Sequence, residues 1–250
     1  MPRFAANLSL LFQEVDLLDR FALTKEAGFD VVEILFPYDA PGQDIRSALI
    51  RHDLDLCLIN CPPPNYTGGA RGFAAIPGGS ARFQHDFRRT LRYASLLKPS
   101  HIHIMAGAAE RSEQAHSTFV DNLRWACTQA PKQSLTIEPI NRGDMPGYYL
   151  YDFDYAIEVI AEVDAPNLSL QFDVYHAQKI TGNAMDAWDK HGSHAVHIQI
   201  AGAEGRHEPV KGMIDYPAFF KRLDEEGYTG VVSAEYNPHK DTLSGLGWMP

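Results

Sequence analysis

The chain has 250 residues, and its 22 lysines and arginines against 32 aspartates and glutamates give a formal net charge of −10 at pH 7. This charge argues against nucleic acid or an anionic membrane as a partner, because either normally requires a basic surface. Hydrophobic residues make up 45% of the chain, which excludes a disordered protein and allows a large core. The length suits one closed α/β barrel or two small domains, so the hydrophobic pattern must decide.

The three cysteines, Cys57, Cys61 and Cys127, show neither zinc-site spacing nor the density of a disulfide scaffold. We therefore expect a reducing, cytoplasmic environment. Residues 1–10 lack the pattern of a secretory signal, and no stretch reaches the roughly 18 apolar residues of a membrane span. A soluble, unprocessed protein without a membrane partner is expected.

Short apolar or β-branched runs alternate with longer amphipathic segments along the whole chain, which is typical of βα units. No linker or low-complexity segment interrupts them. The eight predicted strands are residues 4–9, 31–35, 55–60, 101–106, 135–139, 168–173, 195–200 and 230–235.

Helices are predicted between these strands, and Gly28 and Gly227 are suitable stop signals for two of them. Eight strands joined by helical crossovers close most economically into a single (β/α)8 TIM barrel spanning residues 1–250. An open doubly wound sheet is the alternative, but no glycine-rich phosphate motif follows the first strand. The predicted helices include residues 15–27, 83–97, 117–129, 154–162 and 217–226.

Strands five to eight each carry an oxygen-bearing side chain near their carboxyl ends: Glu138, Asp173, Gln199 and Glu235. They are separated by about one βα unit each, so a barrel would gather them at one mouth. Any one alone is as well explained by a salt bridge or solvent exposure. Together, three carboxylates in one pocket require a counter-charge, and an all-oxygen ligand set predicts a divalent metal, Mg²⁺ or Mn²⁺.

Other polar residues are expected near the same site. His176, just after strand six, could bind a substrate oxygen or cap the next helix. Arg206 and His207 lie in a loop after strand seven, where a cation would attract a substrate carboxylate, although a solvated loop is the simpler interpretation. The loop at residues 62–79 suits a lid carrying Arg71 as a second anion contact, or an irregular connection.

Covalent catalysis is not indicated. No Ser-His-Asp order or nucleophile elbow is present, and the cysteines lack a visible activating partner. His101 and His103 share one face of the fourth strand, and we interpret them as core or barrel-lining groups rather than ligands.

Several longer motifs resemble the hydroxypyruvate isomerase family of xylose isomerase-like barrels, and the resemblance spans nearly the whole chain. The motifs are GARGFAAIPG at 69–78, IEPIN at 137–141 with PGY at 146–148, QFDVYH at 171–176, HIQIAG at 197–202 with GRHEP at 205–209, and GLGW at 245–248.

The resemblance implies isomerisation of hydroxypyruvate to tartronate semialdehyde, or of a related small anionic 2-oxo acid such as 2-oxo-tetronate. It also implies that Glu138 and Glu235 are the proton donor and acceptor, without saying which is which. Moving a carbonyl to the adjacent carbon by proton transfer passes through an enediolate, which a metal ion would stabilise. Homo-oligomerisation is left open by the sequence.

Three other functions compete with this interpretation. A sugar 3-epimerase would use the same two glutamates, and only a substrate profile separates it from an isomerase. An apurinic-site endonuclease shares the barrel, but such enzymes bind a phosphate backbone and collect several zinc ions with many histidines, which the charge of −10 and Gln199 disfavour. A non-catalytic sugar-acid-binding barrel would not need both candidate acid-base groups.

Overall fold

The structure is a computed structural model that describes residues 2–61, 71–210 and 212–249. Eight parallel strands form a closed barrel in chain order, with β1 hydrogen-bonded to β8. This closure confirms the predicted TIM barrel and excludes the open sheet. All eight predicted strands are present: β1 (Arg3–Asn7), β2 (Val31–Glu33), β3 (Asp55–Asn60), β4 (His101–His103), β5 (Ser134–Ile137), β6 (Leu168–Asp173), β7 (Ala195–Ile200) and β8 (Val231–Ala234).

The described part of the chain contains eight α-helices around the barrel. Five correspond to the predicted helices, and α2, α6 and α7 were not predicted. The helices are α1 (Leu17–Glu26), α2 (Gly42–Arg51), α3 (Ser80–Leu97), α4 (Glu113–Gln129), α5 (Phe153–Val163), α6 (Val174–Thr181), α7 (Ala184–His191) and α8 (Tyr216–Glu225).

Side-chain caps fix where several helices begin. The Ser112 side chain accepts a hydrogen bond from the backbone of Ala115 and starts α4 four residues before the predicted position. Asp152 caps α5 through Tyr155 in the same way. Such caps satisfy backbone N–H groups that have no partner inside the helix.

The barrel interior is polar toward the carboxyl ends of the strands. In-register pairs such as Asn7 with Glu33, and Asp173 with Gln199, place these side chains at matching levels of neighbouring strands. Buried polar groups require hydrogen-bond partners, so this layer specifies a defined network rather than simple apolar packing. The buried polar residues of the strands include Asn7, Glu33, Asn60, His103, Thr136, Gln171, Asp173, His197, Gln199 and Ser233.

The main hydrophobic core lies between the strands and the helices. Phe21, Phe87, Phe119 and Phe219 are fully buried there on α1, α3, α4 and α8. Burial of each such side chain contributes roughly 1.5 to 3 kcal/mol, so the helices hold the barrel rigid beneath the polar layer. None of the described helices has the length and apolar content needed to span a membrane.

Candidate active site

A cavity of about 260 Å³ lies at the carboxyl ends of the strands. Glu138, Gln199 and Glu235 are part of its wall. Cavities that bind drug-sized ligands measure roughly 300 to 1,000 Å³, so this one suits a molecule of a few carbon atoms. The apolar part of the wall includes Leu10, Phe36, Met105, Ile140 and Met145.

Asp173, the fourth predicted strand-end residue, is buried and is not part of the cavity wall. Its Oδ1 accepts hydrogen bonds from the backbone N–H groups of Tyr175 (2.7 Å) and His176 (3.2 Å), so Asp173 caps α6. Among the described residues, its buried Oδ2 has no hydrogen-bond partner and has only the longer ion-pair contacts given below. Asp173 therefore caps a helix with one oxygen and offers the other to a cation.

Arg206 supplies positive charge to this acidic cluster. Its Nη2 lies 2.5 Å from Oε1 of Glu235 and 3.6 Å from Oδ2 of Asp173. Its backbone is left-handed, with φ of 56°, and its carbonyl accepts a hydrogen bond from the backbone of Asn237 at 2.9 Å. A left-handed conformation is costly for a residue with a side chain, so the fold constrains this loop to present the guanidinium to the cavity.

His176 lies in α6 rather than in the loop predicted after strand six, because Asp173 starts the helix at once. The side-chain amide of Asn141 donates to Nδ1 of His176 at 2.7 Å. The orientation of that amide follows from its oxygen, which accepts the backbone N–H of Asp144 at 3.0 Å. The proton of His176 is therefore on Nε2, which lies 3.6 Å from Oδ2 of Asp173 and 3.8 Å from Oε1 of Glu138.

Gln171 connects two of the predicted site residues. Its Nε2 donates to Oε2 of Glu138 at 3.0 Å and to Oε1 of Gln199 at 2.7 Å. Its own oxygen accepts the hydroxyl of Thr136 at 3.0 Å. Gln171 thus fixes the distance between a carboxylate and an amide oxygen that both face the cavity.

Burial dominates the protonation behaviour of the site. It raises the pKa of Glu138 well above its ordinary value, and the charges of Asp173 and Glu235 raise it further. Burial also raises the pKa of Glu235, although Arg206 opposes this. The pKa of Asp173 rises to about 6 because burial outweighs Arg206 and the helix-capping bonds. Burial, with a smaller effect of Arg206, lowers the pKa of His176 to about 3, so this imidazole is neutral at pH 7.

The residues present fit a divalent cation. Oxygen atoms of Glu138 and Asp173 and a ring nitrogen of His176 all lie within 4.8 Å of one another. The Nε2–H tautomer makes His176 a hydrogen-bond donor rather than a ligand. Glu138 and Asp173 remain as carboxylate ligands of this group, and the predicted ligands Gln199 and Glu235 lie in the wall of the adjoining cavity. A +2 ion would favour the ionised carboxylates and so oppose the burial that raises their pKa values.

Arg71 and His207 differ in their relation to the cavity. Arg71 is part of its wall, whereas His207 is not, and Nδ1 of His207 bonds instead to the carbonyl of Asn237 at 2.8 Å.

Residues 62–70, the first half of the predicted lid, lie outside the described residues. Gly72 forms an isolated β-bridge with Ala106, and its φ is +97°. A Cβ at this position would overlap the carbonyl oxygen of Met105, so the segment packs tightly against the loop that follows β4.

Two residues near the site, Gln171 and Glu33, escaped the sequence interpretation. Gln171 lies two residues before Asp173 on the same strand, and Glu33 ends β2 just as Asp173 ends β6. His103 is buried in the cavity wall, with Nδ1 3.6 Å from Oε2 of Glu138. Gln171 was missed because only the last polar residue of each strand was considered, and Glu33 was missed because only strands five to eight were. His103 lines the barrel, in agreement with its interpretation from the sequence.

Comparison with known proteins agrees with this geometry. Residues 21–250 match the family described as Xylose isomerase-like TIM barrel. A 2-oxo-tetronate isomerase of Cupriavidus necator is 42% identical over 255 residues, covering 100% of this chain and 98% of the relative. A hydroxypyruvate isomerase of Escherichia coli is 40% identical over 258 residues, with coverage of 100% and 98%.

A crystal structure described as an AP endonuclease, family 2, from Brucella melitensis superposes with a TM-score of 0.95. It is 41% identical and covers 99% of this chain and 98% of its own. The full-length likeness to these proteins confirms the resemblance found in the motifs. The chain therefore belongs to the xylose isomerase-like TIM barrel family, and it is an isomerase.

Proposed function

We propose that this isomerase acts on a small 2-oxo acid, converting hydroxypyruvate to tartronate semialdehyde or a related substrate such as 2-oxo-tetronate. The observation that carries the proposal is that two buried glutamates, Glu138 and Glu235, share one small cavity with two arginines, Arg71 and Arg206. The relatives named as isomerases of these two acids match the chain along its full length.

The arginines provide the attraction for an anionic substrate. When Glu138, Asp173 and Glu235 are all ionised, they carry more negative charge than Arg206 neutralises, so a substrate carboxylate needs further cations. Arg71 stands in the same wall and supplies one. A bound Mg²⁺ or Mn²⁺, held by Glu138, Asp173, Gln199 and Glu235, would supply electrostatic stabilisation of negative charge that develops on substrate oxygens.

The proton chemistry belongs to the two glutamates. Isomerisation requires removal of a proton from the carbon next to the carbonyl, which leaves an enediolate. A proton is then returned to the former carbonyl carbon, and the hydroxyl proton of the other carbon is transferred to the former carbonyl oxygen, which becomes the hydroxyl of the product. His176 Nε2–H, beside Glu138 and Asp173, can donate a hydrogen bond to a substrate oxygen during these steps.

The surroundings of the two glutamates favour different roles. Glu235 has the Arg206 guanidinium at 2.5 Å, which favours its ionised form. Glu138 receives a hydrogen bond from the neutral amide of Gln171 and faces the imidazoles of His103 and His176. We therefore assign removal of the carbon-bound proton to Glu235 and handling of the oxygen-bound proton to Glu138.

A substrate screen tests the proposal. Purified protein, stripped of metal and reloaded with Mg²⁺, Mn²⁺, Co²⁺ or Zn²⁺, is offered hydroxypyruvate, 2-oxo-tetronate, a neutral ketohexose and DNA with an abasic site. Glu138→Gln is the matched control for contaminating activity. Turnover of a 2-oxo acid that the control lacks is the expected result.

The other substrates decide between the remaining activities. Turnover of the ketohexose alone would indicate a sugar epimerase, and cleavage of the DNA alone would indicate the activity named for the Brucella melitensis relative. The net charge of −10 disfavours the nuclease, because binding of a phosphate backbone depends on cationic residues. Residue 199 is a glutamine rather than a histidine, which also disfavours a zinc site.

A further inference from the structure

Glu33 is a fourth buried carboxylate, next to the three of the site, and nothing in the proposed chemistry uses it. It is the last residue of β2, its side chain is fully buried, and it is not part of the cavity wall. A buried carboxylate is costly unless several hydrogen bonds satisfy it. Its partners therefore indicate what it does.

The carboxylate of Glu33 is surrounded by hydrogen-bond partners. Oε1 accepts from Nδ2 of Asn7 at 2.7 Å and from Nε2 of Gln199 at 2.6 Å. Oε2 lies 2.6 Å from Nε2 of His197. The orientation of the Asn7 amide is independent of Glu33, because its oxygen accepts the backbone N–H of Ser9 at 3.0 Å.

These contacts fix which end of the Gln199 amide faces Glu33. An amide oxygen at 2.6 Å from Oε1 would be two acceptors in contact, whereas the amide nitrogen makes a hydrogen bond. Oε1 of Glu33 is an acceptor whether or not the carboxyl group is protonated, since a proton can lie on Oε2 and face His197. The orientation of Gln199 therefore follows from geometry rather than from the charge of Glu33.

The other end of the Gln199 amide is then determined. Its Oε1 accepts from Nε2 of Gln171 at 2.7 Å, and the same nitrogen donates to Glu138. Because the nitrogen of Gln171 faces these two acceptors, its oxygen faces Thr136 and accepts the hydroxyl hydrogen bond. A directional chain thus runs from Glu33 through Gln199 and Gln171 to Glu138.

We propose that Glu33 is a positioning residue that holds the Gln199 amide with its oxygen, rather than its nitrogen, toward the carboxylates of the cavity. A cation can bind the oxygen and not the NH₂ group, so Glu33 makes Gln199 a competent ligand in the site on which the proposed function rests. Partners in the outer shell of a metal site typically change metal affinity by about 10- to 100-fold.

Three variants test this role. Glu33→Met removes the acceptor at similar size, and Glu33→Gln keeps an acceptor oxygen that the Asn7 amide holds in place. The side-chain amide signal that disappears from the ¹⁵N NMR spectrum of the metal-free protein in Gln199→Ala is the signal of Gln199. Glu33→Ala, which leaves room for water, replaces the methionine variant if that one does not fold.

The NMR measurement requires neither metal nor turnover. The Gln199 amide protons should be protected from solvent exchange in the unmodified protein and in Glu33→Gln, and lose protection in Glu33→Met. Equal protection in Glu33→Met, or loss in Glu33→Gln, would overturn the proposal. A failure of the proposed isomerisation would appear instead as absent turnover with this NMR pattern intact.

Mn²⁺ affinity, measured by electron paramagnetic resonance on the stripped protein, gives the second measurement. Glu33→Met should weaken Mn²⁺ binding at least 10-fold, and Glu33→Gln by less than about threefold. In a Gln199→Ala background, Glu33→Met should weaken Mn²⁺ binding by less than about threefold further, because most of its effect passes through Gln199 and only the contact of Glu33 with Glu235 remains. The same 10-fold loss in that background would show general damage to the barrel and overturn the positioning role.

Discussion

Glu138 and Glu235 differ in their neighbours, and this difference predicts different mutant behaviour. Glu138→Gln and Glu235→Gln should each lower kcat by at least ~10²-fold, because each removes a proton carrier while preserving side-chain shape. Only Glu235→Gln should also abolish exchange of the carbon-bound hydrogen with solvent, since Arg206 favours ionised Glu235 as the base.

Both glutamate variants are measured at saturating metal, so that weaker metal binding does not mask the proton step. Near-normal turnover in either variant would remove that residue from the chemistry. Exchange that survives in Glu235→Gln but not in Glu138→Gln would reverse the two roles.

The type of side chain at position 199 is expected to set the metal preference of the site. Gln199→His should shift preference from Mg²⁺ and Mn²⁺ toward Co²⁺ or Zn²⁺, because an imidazole binds these ions better than an amide oxygen does. In the unmodified protein, Oε1 of Glu33 lies 2.6 Å from Nε2 of Gln199. In the variant, the same carboxylate can bond the ring nitrogen of the new histidine that does not face the metal. Competition between metals measures the preference, and an unchanged order would show that position 199 does not contact the ion.

Much of the site was predictable at the level of residue type. Glu138, Gln199 and Glu235 were predicted because each interrupts an apolar strand at its carboxyl end, and the barrel brings all three to one cavity. His207 was predicted from its loop position alone, and the structure turns its ring to the Asn237 carbonyl. Sequence cannot give the direction of a loop side chain, because that depends on contacts from distant segments.

At the level of elements, α6 shows how a site residue also builds the fold. Asp173→Asn keeps an oxygen that can cap α6, whereas Asp173→Ala loses the bonds to the backbone of Tyr175 and His176. Loss of an N-cap typically costs about 1 kcal/mol. We therefore expect Asp173→Ala to be less stable to urea unfolding than Asp173→Asn by about that amount.

Both Asp173 variants should bind metal more weakly, and excess Mg²⁺ or Mn²⁺ should restore part of the activity of Asp173→Asn. Equal stability of the two variants would count against the cap. No response of Asp173→Asn to added metal would count against a ligand role.

The strands were easier to predict than the helices. Each strand is a short apolar run with clear flanking signals, so all eight were found. The helices α6 and α7 have only eight residues each, and α6 follows β6 without any turn residue to mark its start. The helix α2 buries Ile45, Ala48 and Leu49 at helical spacing, so its hydrophobic pattern was present in the sequence and was missed.

For the whole molecule, buried histidines predict a pH dependence of stability. Burial, with a smaller effect of His197, lowers the pKa of His101 to about 3, against roughly 6.5 in an unfolded chain. Between these values the unfolded state binds the extra proton, so this contribution to stability is complete above about pH 6.5 and is lost as the pH falls toward 3.

Replacement of His101 isolates this effect from the carboxyl groups, whose raised pKa values act in the opposite direction. Relative to the unmodified protein, His101→Gln should gain up to about 2 kcal/mol in unfolding free energy between pH 7 and pH 5. His85→Gln, at an exposed position, controls for the loss of one histidine. A pH-independent difference between His101→Gln and the unmodified protein would contradict the prediction.

The proposed isomerisation depends on proton transfer within the cavity, and turnover of hydroxypyruvate in D₂O tests this most directly. Glu235 would exchange an abstracted proton with solvent before returning it, so NMR should find deuterium on carbon in the product or recovered substrate, above the level in an enzyme-free control. The metal content of the active protein, measured on the same sample, should be one ion per chain. Complete retention of the substrate hydrogen, together with a second bound metal, would contradict the account and indicate a hydride shift instead.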